Sequence, residues 1–163
     1  MENKKVEITS LVGGRITINL VDPRIKRTWE RKGVKRYINF EDLEQAMYNQ
    51  GVEYMFTQGI LGIEDMDVKI ALGLEPEGAK EPVNIIILTD AQKRRYLTVA
   101  PLNELKEIID KLSYEQIQEL ADFAIENELS NFDRCEILKK AIQVDVIQAI
   151  RNKRADKEET KEA

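Results

Sequence analysis

The sequence predicts an α+β fold: N-terminal antiparallel β hairpins forming a small sheet or open barrel, a mixed middle, and a C-terminal bundle of short helices. Three observations predict it. Between residues 6 and 40 apolar and polar residues alternate with period two, the spacing of a half-buried strand. From residue 89 onward apolar residues recur every three to four positions, the spacing of an amphipathic helix. Between the two lies Glu75-Pro76-Glu77-Gly78-Ala79-Lys80-Glu81-Pro82, whose prolines, glycine and charges leave little to bury. The expected organisation is a basic β-rich unit with short helices over 1–75, a loop over 76–82, a helical bundle over 83–150 and a charged flexible tail over 151–163.

In order along the chain, Val6 to Leu11 is rich in β-branched residues, and Gly13-Gly14 predicts a hairpin turn into Arg15–Leu20. Ile16, Ile18 and Leu20 then share one face, with Arg15, Thr17 and Asn19 on the other. Asp22-Pro23 breaks that strand. A second hairpin is expected from Arg24–Glu30 through Arg31-Lys32-Gly33 into Val34–Phe40, with Ile25, Arg27 and Trp29 on one face. Asn39 and Asp42 predict a capped helix that stops at Asn49-Gln50-Gly51. Glu53–Gln58 predicts a second short helix ending at Gly59, Ile60–Ile63 a short buried strand, and Asp65 the cap of a helix closed by Gly73. Thr89-Asp90-Ala91-Gln92 and Ser113-Tyr114-Glu115-Gln116 both fit the capping box, and Pro101 fits the start of a helix. Leu102, Leu105, Ile108, Ile109 and Leu112 form one apolar stripe; Tyr114, Ile117, Leu120, Ala121 and Ala124 form another. Phe132, Ile137, Leu138, Ala141, Val146, Ile147 and Ile150 continue it, and Arg151–Ala163 reads as a frayed, solvated tail.

Composition narrows the chemistry. No histidine occurs in the 163 residues, which removes the commonest general base, histidine-dependent nucleophilic triads and histidine-ligated metals. The single cysteine, Cys135, cannot form an internal disulfide and points to a reducing compartment. Asp133 and Glu136 beside it should raise its thiol pKa, the reverse of nucleophile activation, so Cys135 reads as a packed residue. Glu64-Asp65-Met66-Asp67 lacks calcium-loop spacing and reads as acids at a helix N-terminus. Gly13-Gly14 is followed by no Gly-Lys-Ser/Thr and reads as a turn, not a phosphate loop. No apolar run approaches a membrane span, and the N-terminus carries no signal-like apolar stretch, so synthesis in a cytoplasm is expected. The sequence thus predicts no catalytic residue, no cofactor, no metal and no membrane contact.

Charge supplies the candidate site. Residues 1–40 carry ten Lys/Arg against four acids, a net of +6, while the chain as a whole is −5. Arg24, Lys26, Arg27, Arg31, Lys32, Lys35 and Arg36 crowd two expected strands and their turn, with Trp29 and Tyr37 among them. Cations with interleaved aromatics suit single-stranded nucleic acid. However, Trp29 shares a face with Ile25 and so reads as core, and a pI near 5.0 is unlike that of a dedicated nucleic-acid binder. Contact with an acidic protein face, an edge kept soluble by charge, and a nucleic-acid groove are the three readings of these residues.

Several segments resemble one family. Ser10-Leu11-Val12-Gly13-Gly14-Arg15-Ile16, Lys26-Arg27-Thr28-Trp29-Glu30-Arg31-Lys32-Gly33, Gly51-Val52-Glu53-Tyr54-Met55-Phe56 with Gly59-Ile60-Leu61, and Leu72-Gly73-Leu74-Glu75-Pro76-Glu77 are similar to small virion-associated proteins of tailed phages and prophages of gut Firmicutes. The resemblance spans roughly residues 6–150 and carries over no catalytic or binding residue. It implies a non-enzymatic structural or assembly role in a virion, with other virion proteins or copies of the chain itself as partners. A nucleic-acid-binding accessory protein using the basic 24–36 segment is the alternative.

Overall fold

Strand β1 (Lys5–Ser10) places Val6, Ile8 and Ser10 on one face, and all three are buried. The computed structural model describes residues 1–20 and 25–162, the side chain of Glu162 aside. Four further strands follow: β2 (Ile16–Asn19), β3 (Lys26–Trp29), β4 (Lys35–Asn39) and β5 (Leu61–Gly62). With the helices that follow them, the fold is α+β. The chain divides into two units, Met1–Ile87 and Leu88–Ala163.

The strands lie where alternation puts them, but two expected pairings are wrong. Gly13-Gly14 does not join paired strands. β1 lies between β4 and β5, antiparallel to both, with Val6 opposite Ile38 and Ile8 opposite Arg36. β2 pairs with β3 instead, Ile16 opposite Trp29 and Ile18 opposite Arg27. β3 and β4, the expected second hairpin, run side by side without a backbone ladder. The reason lies in the inner faces. Opposed residues share a face, so these registers gather Val6, Ile8, Ile18, Trp29 and Ile38 into one core. Trp29 is fully buried, and its indole Nε1 donates to the Ile8 carbonyl at 2.9 Å. The Asp22-Pro23 break lies outside the described residues.

Helices complete the first unit's core. In α1 (Phe40–Ala46) Asn39 occupies the N-cap position, but its side chain makes no capping bond. Asn49, expected as a stop, starts the next helix: its Oδ1 accepts from Gly51 N at 2.8 Å, and α2 runs Gln50–Thr57. Asp65 caps α3 (Met66–Ala71). Phe40, Leu43, Ala46, Val52, Phe56 and Val68 face the strands. Gly62 on β5 allows a close approach: a Cβ there would lie 2.7 Å from Leu11 Cδ1 and 3.2 Å from Ile87 Cδ1. Residues 83–87, expected to open the helical bundle, belong to the first unit.

The second unit is helical: α4 (Asp90–Thr98), α5 (Leu102–Lys111), α6 (Tyr114–Glu126), α7 (Phe132–Ile142) and α8 (Val146–Glu162). Both capping boxes form, at Thr89 and Ser113. Leu105, Ile108, Ile109, Ile117, Leu120, Ala121, Ala124, Leu138, Val146 and Ile150 are buried, whereas Tyr114 and Phe132, expected in the stripes, are exposed. The Arg134 guanidinium donates to the Tyr96 and Ala100 carbonyls at the end of α4. The expected flexible tail is a correction: residues 151–162 continue α8. Lys153 Nζ donates to Glu126 O at 3.0 Å, capping α6, and Arg154 pairs with Glu128 at 3.1 Å. Beyond Arg154 the described side chains are exposed, which is what their charge predicts.

Candidate protein-docking edge

The seven basic residues separate by position. Arg24 lies outside the described residues. Lys26 is exposed on the outer face of β3, beside the Thr17–Thr28 hydroxyl pair at 3.1 Å. Arg31 and Lys32 are exposed in the turn before Gly33, whose φ of +84° the turn requires. Lys35 is on the outer face of β4 and pairs with Glu7 at 2.6 Å. Tyr37, directly opposite Glu7, donates its hydroxyl to the same carboxylate at 2.6 Å. These two bonds hold the Glu7 carboxyl below its ordinary range, Lys35 first and Tyr37 second. Glu7 in turn raises the pKa of Lys35 and of Tyr37.

Arg27 and Arg36 are brought together. Both point to the inner face, opposite Ile18 and Ile8, at the rim where β3 meets β4. Arg27 Nε donates to the Tyr37 carbonyl at 3.1 Å, and Arg36 Nε donates to the Thr28 carbonyl at 3.1 Å. Each side chain thus crosses to the other strand in reciprocal fashion. Their Nη1 groups donate to the carbonyls of Lys26 and Lys35. The two guanidiniums replace a backbone ladder between edge strands and satisfy carbonyls that an edge leaves open. Bonding to carbonyls fixes a guanidinium without neutralising it. Among the described residues, no carboxylate is in ion-pair contact with Lys26, Arg27, Arg31 or Arg36.

The acidic residues have their own geometry. Asp65 of the 64–67 run accepts from Asp67 N and Val68 N and pairs with Lys4 at 2.6 Å; the Lys4 bond comes first among the causes that lower its pKa. Cys135 is buried, and its thiol pKa is raised by burial and then by Asp145 and Glu136, with Asp145 in the place expected for Asp133. A recess of about 320 Å³ between α1, α2 and the end of α3 was not expected from sequence. Glu44 and Glu53 flank it, Met47, Leu72 and Leu74 line it, and Tyr48 stands 87% exposed at its rim. The signal for it is faint: Glu44 lies in the last turn of α1, and Tyr48 lies four residues on, past the helix end and just before the Asn49 cap. In the second unit a groove of about 580 Å³ between α5 and α7 is lined by Leu102, Ile109, Phe132 and Ile137, with charges of both signs. No described helix is long and apolar enough to cross a membrane.

No protein-family model, curated protein or solved structure matches the chain.

Proposed function

We propose that the chain is a non-enzymatic structural or assembly component of a tailed-phage virion, made in the host cytoplasm and acting through protein–protein contacts. One observation carries the contact: the Arg27–Arg36 pair, held at the β3–β4 edge by carbonyls and in ion-pair contact with no carboxylate among the described residues. A cation fixed in place loses little side-chain entropy on meeting an anion, so the edge is preorganised for an acidic surface. Arg31 in the turn and Lys26 on the outer face of β3 extend the charge beyond the rim. The virion setting comes from the resemblance of the Ser10–Ile16, Lys26–Gly33 and Gly51–Phe56 segments to virion-associated phage proteins.

An acidic protein face fits this edge better than a single-stranded nucleic acid does. Trp29 has no exposed surface to stack on a base, and the exposed Tyr37 is bonded to a carboxylate that would repel phosphates. The experiment is mass spectrometry of purified particles of the phage, or induced prophage, whose genome encodes the chain. Stoichiometric recovery with particles is expected. Clean absence removes the virion-component reading, and a salt-sensitive gel shift with single-stranded DNA would put the nucleic-acid alternative in its place.

A further inference from the structure

We propose that the recess between α1, α2 and the end of α3 receives the basic β3–β4 edge of a second copy, joining copies head to tail. This names the partner of the docking edge and rests on the reading given above. The charge of the first unit is the starting point. Residues 1–40 are +6, whereas residues 41–87 carry ten acids against two lysines, a net of −8. Both partners of a complementary contact are therefore present in one unit.

Few of the ion pairs among the described residues draw on that complementarity. Among the described residues, one ion pair, Lys4–Asp65, joins the two segments. Lys35 is answered by Glu7, from its own segment. Glu44 and Glu53 make no ion pair among the described residues, and neither do Lys26, Arg27, Arg31 and Arg36.

The recess also has the right make-up for a long cationic side chain. Its two carboxylates stand at the walls, Met47, Leu72 and Leu74 offer apolar surface to a methylene stem, and the exposed Tyr48 ring offers a face to a guanidinium. The carboxylates alone would attract any cation. The apolar lining and the ring favour arginine on a protein surface over a hydrated metal ion. Because the two faces differ, the contact is heterologous. It propagates into rings or open chains rather than stopping at a symmetric dimer.

The test is sedimentation velocity at about 50 mM salt, where the Debye length is about 14 Å. It compares the wild type, a Glu44→Lys/Glu53→Lys variant and a Lys26→Glu/Arg31→Glu variant. All four positions are exposed, and Trp29 fluorescence with far-UV circular dichroism checks that both variants keep the fold. The wild type should associate. Each variant alone should lose roughly tenfold or more in association constant, because each sets like charges against each other. Mixing the two variants should restore association, since every edge then finds a recess of opposite sign. A wild type that stays monomeric, variants that associate as it does, or a mixture that stays apart would each overturn the proposal. The two readings fail separately. A monomeric protein recovered in particles loses the self-docking and keeps the assembly role, whereas an associating protein absent from particles does the reverse.

Discussion

A carboxylate enclosed at 3% exposure is tolerable only if its lone pairs are met, and those of Glu75 are. Its Oε2 accepts from Val83 N at 3.0 Å and Asn84 N at 2.9 Å, and its Oε1 accepts from Ile85 N at 3.1 Å. Burial alone would raise its pKa. The amide bonds, with the positive charge of Lys69, outweigh burial and hold it below the ordinary 4.5. A carboxyl whose folded pKa is depressed contributes stability that is fully present above its unfolded value. That contribution is lost as pH falls through the folded value, so it declines below about pH 4.5. Glu75→Gln sets an amide donor against backbone donors and should cost about 2–4 kcal/mol. Urea unfolding followed by the fluorescence of Trp29, the sole tryptophan, reads this in the first unit. The variant should also lose part of the wild-type decline in stability as pH falls below about 4.5. An unchanged midpoint at neutral pH would remove this role. Composition made the 75–82 stretch read as solvated loop. The burial of Glu75 was not legible there because its partners lie eight to ten residues further on and act through backbone atoms, which carry no side-chain signature.

Among the elements, strands were legible and their partners were not. Alternation marks which residues face inward, but β1 could pair with whatever neighbour completes the core. The Trp29 indole reaching Ile8 O is a tertiary contact that turn chemistry at Gly13-Gly14 could not reveal. Helix starts were more legible, because a cap is local: Thr89, Ser113 and Asp65 all cap as their spacing predicts. The helical state of 151–162 is not legible because a charged, polar stretch resembles disorder until Lys153 anchors the first half of α8 on the end of α6 and Arg154 on Glu128 just beyond it. The consequence is testable by thermal melts in far-UV circular dichroism. A chain ending after Arg154 should keep its stability within about 0.5 kcal/mol, since what it loses is solvated helix. Lys153→Met should cost about 1 kcal/mol by leaving the last carbonyls of α6 uncapped. Equal losses from the two changes would contradict this division. On β5, Gly62→Ala should cost about 1–3 kcal/mol in the urea unfolding assay, because the new methyl meets Leu11 at 2.7 Å. A neutral result would mean that Leu11 and Ile87 repack freely.

At the scale of the whole molecule, the charge of the first unit is uneven, basic over residues 1–40 and acidic over residues 41–87. The basic cluster was legible as composition, but its division was not. Sequence cannot distinguish a lysine answered by Glu7 from an arginine held by a carbonyl, and the acidic recess is assembled from three helices. Light scattering coupled to size exclusion on the wild-type chain, at about 50 mM and 500 mM salt, reads this self-docking without any substitution. Debye lengths there are about 14 Å and 4 Å. Docking of the basic edge into the acidic recess gives a species heavier than the 18.8 kDa monomer at low salt that dissociates toward it at high salt. A monomer at both salts, or an oligomer that salt leaves intact, would contradict it.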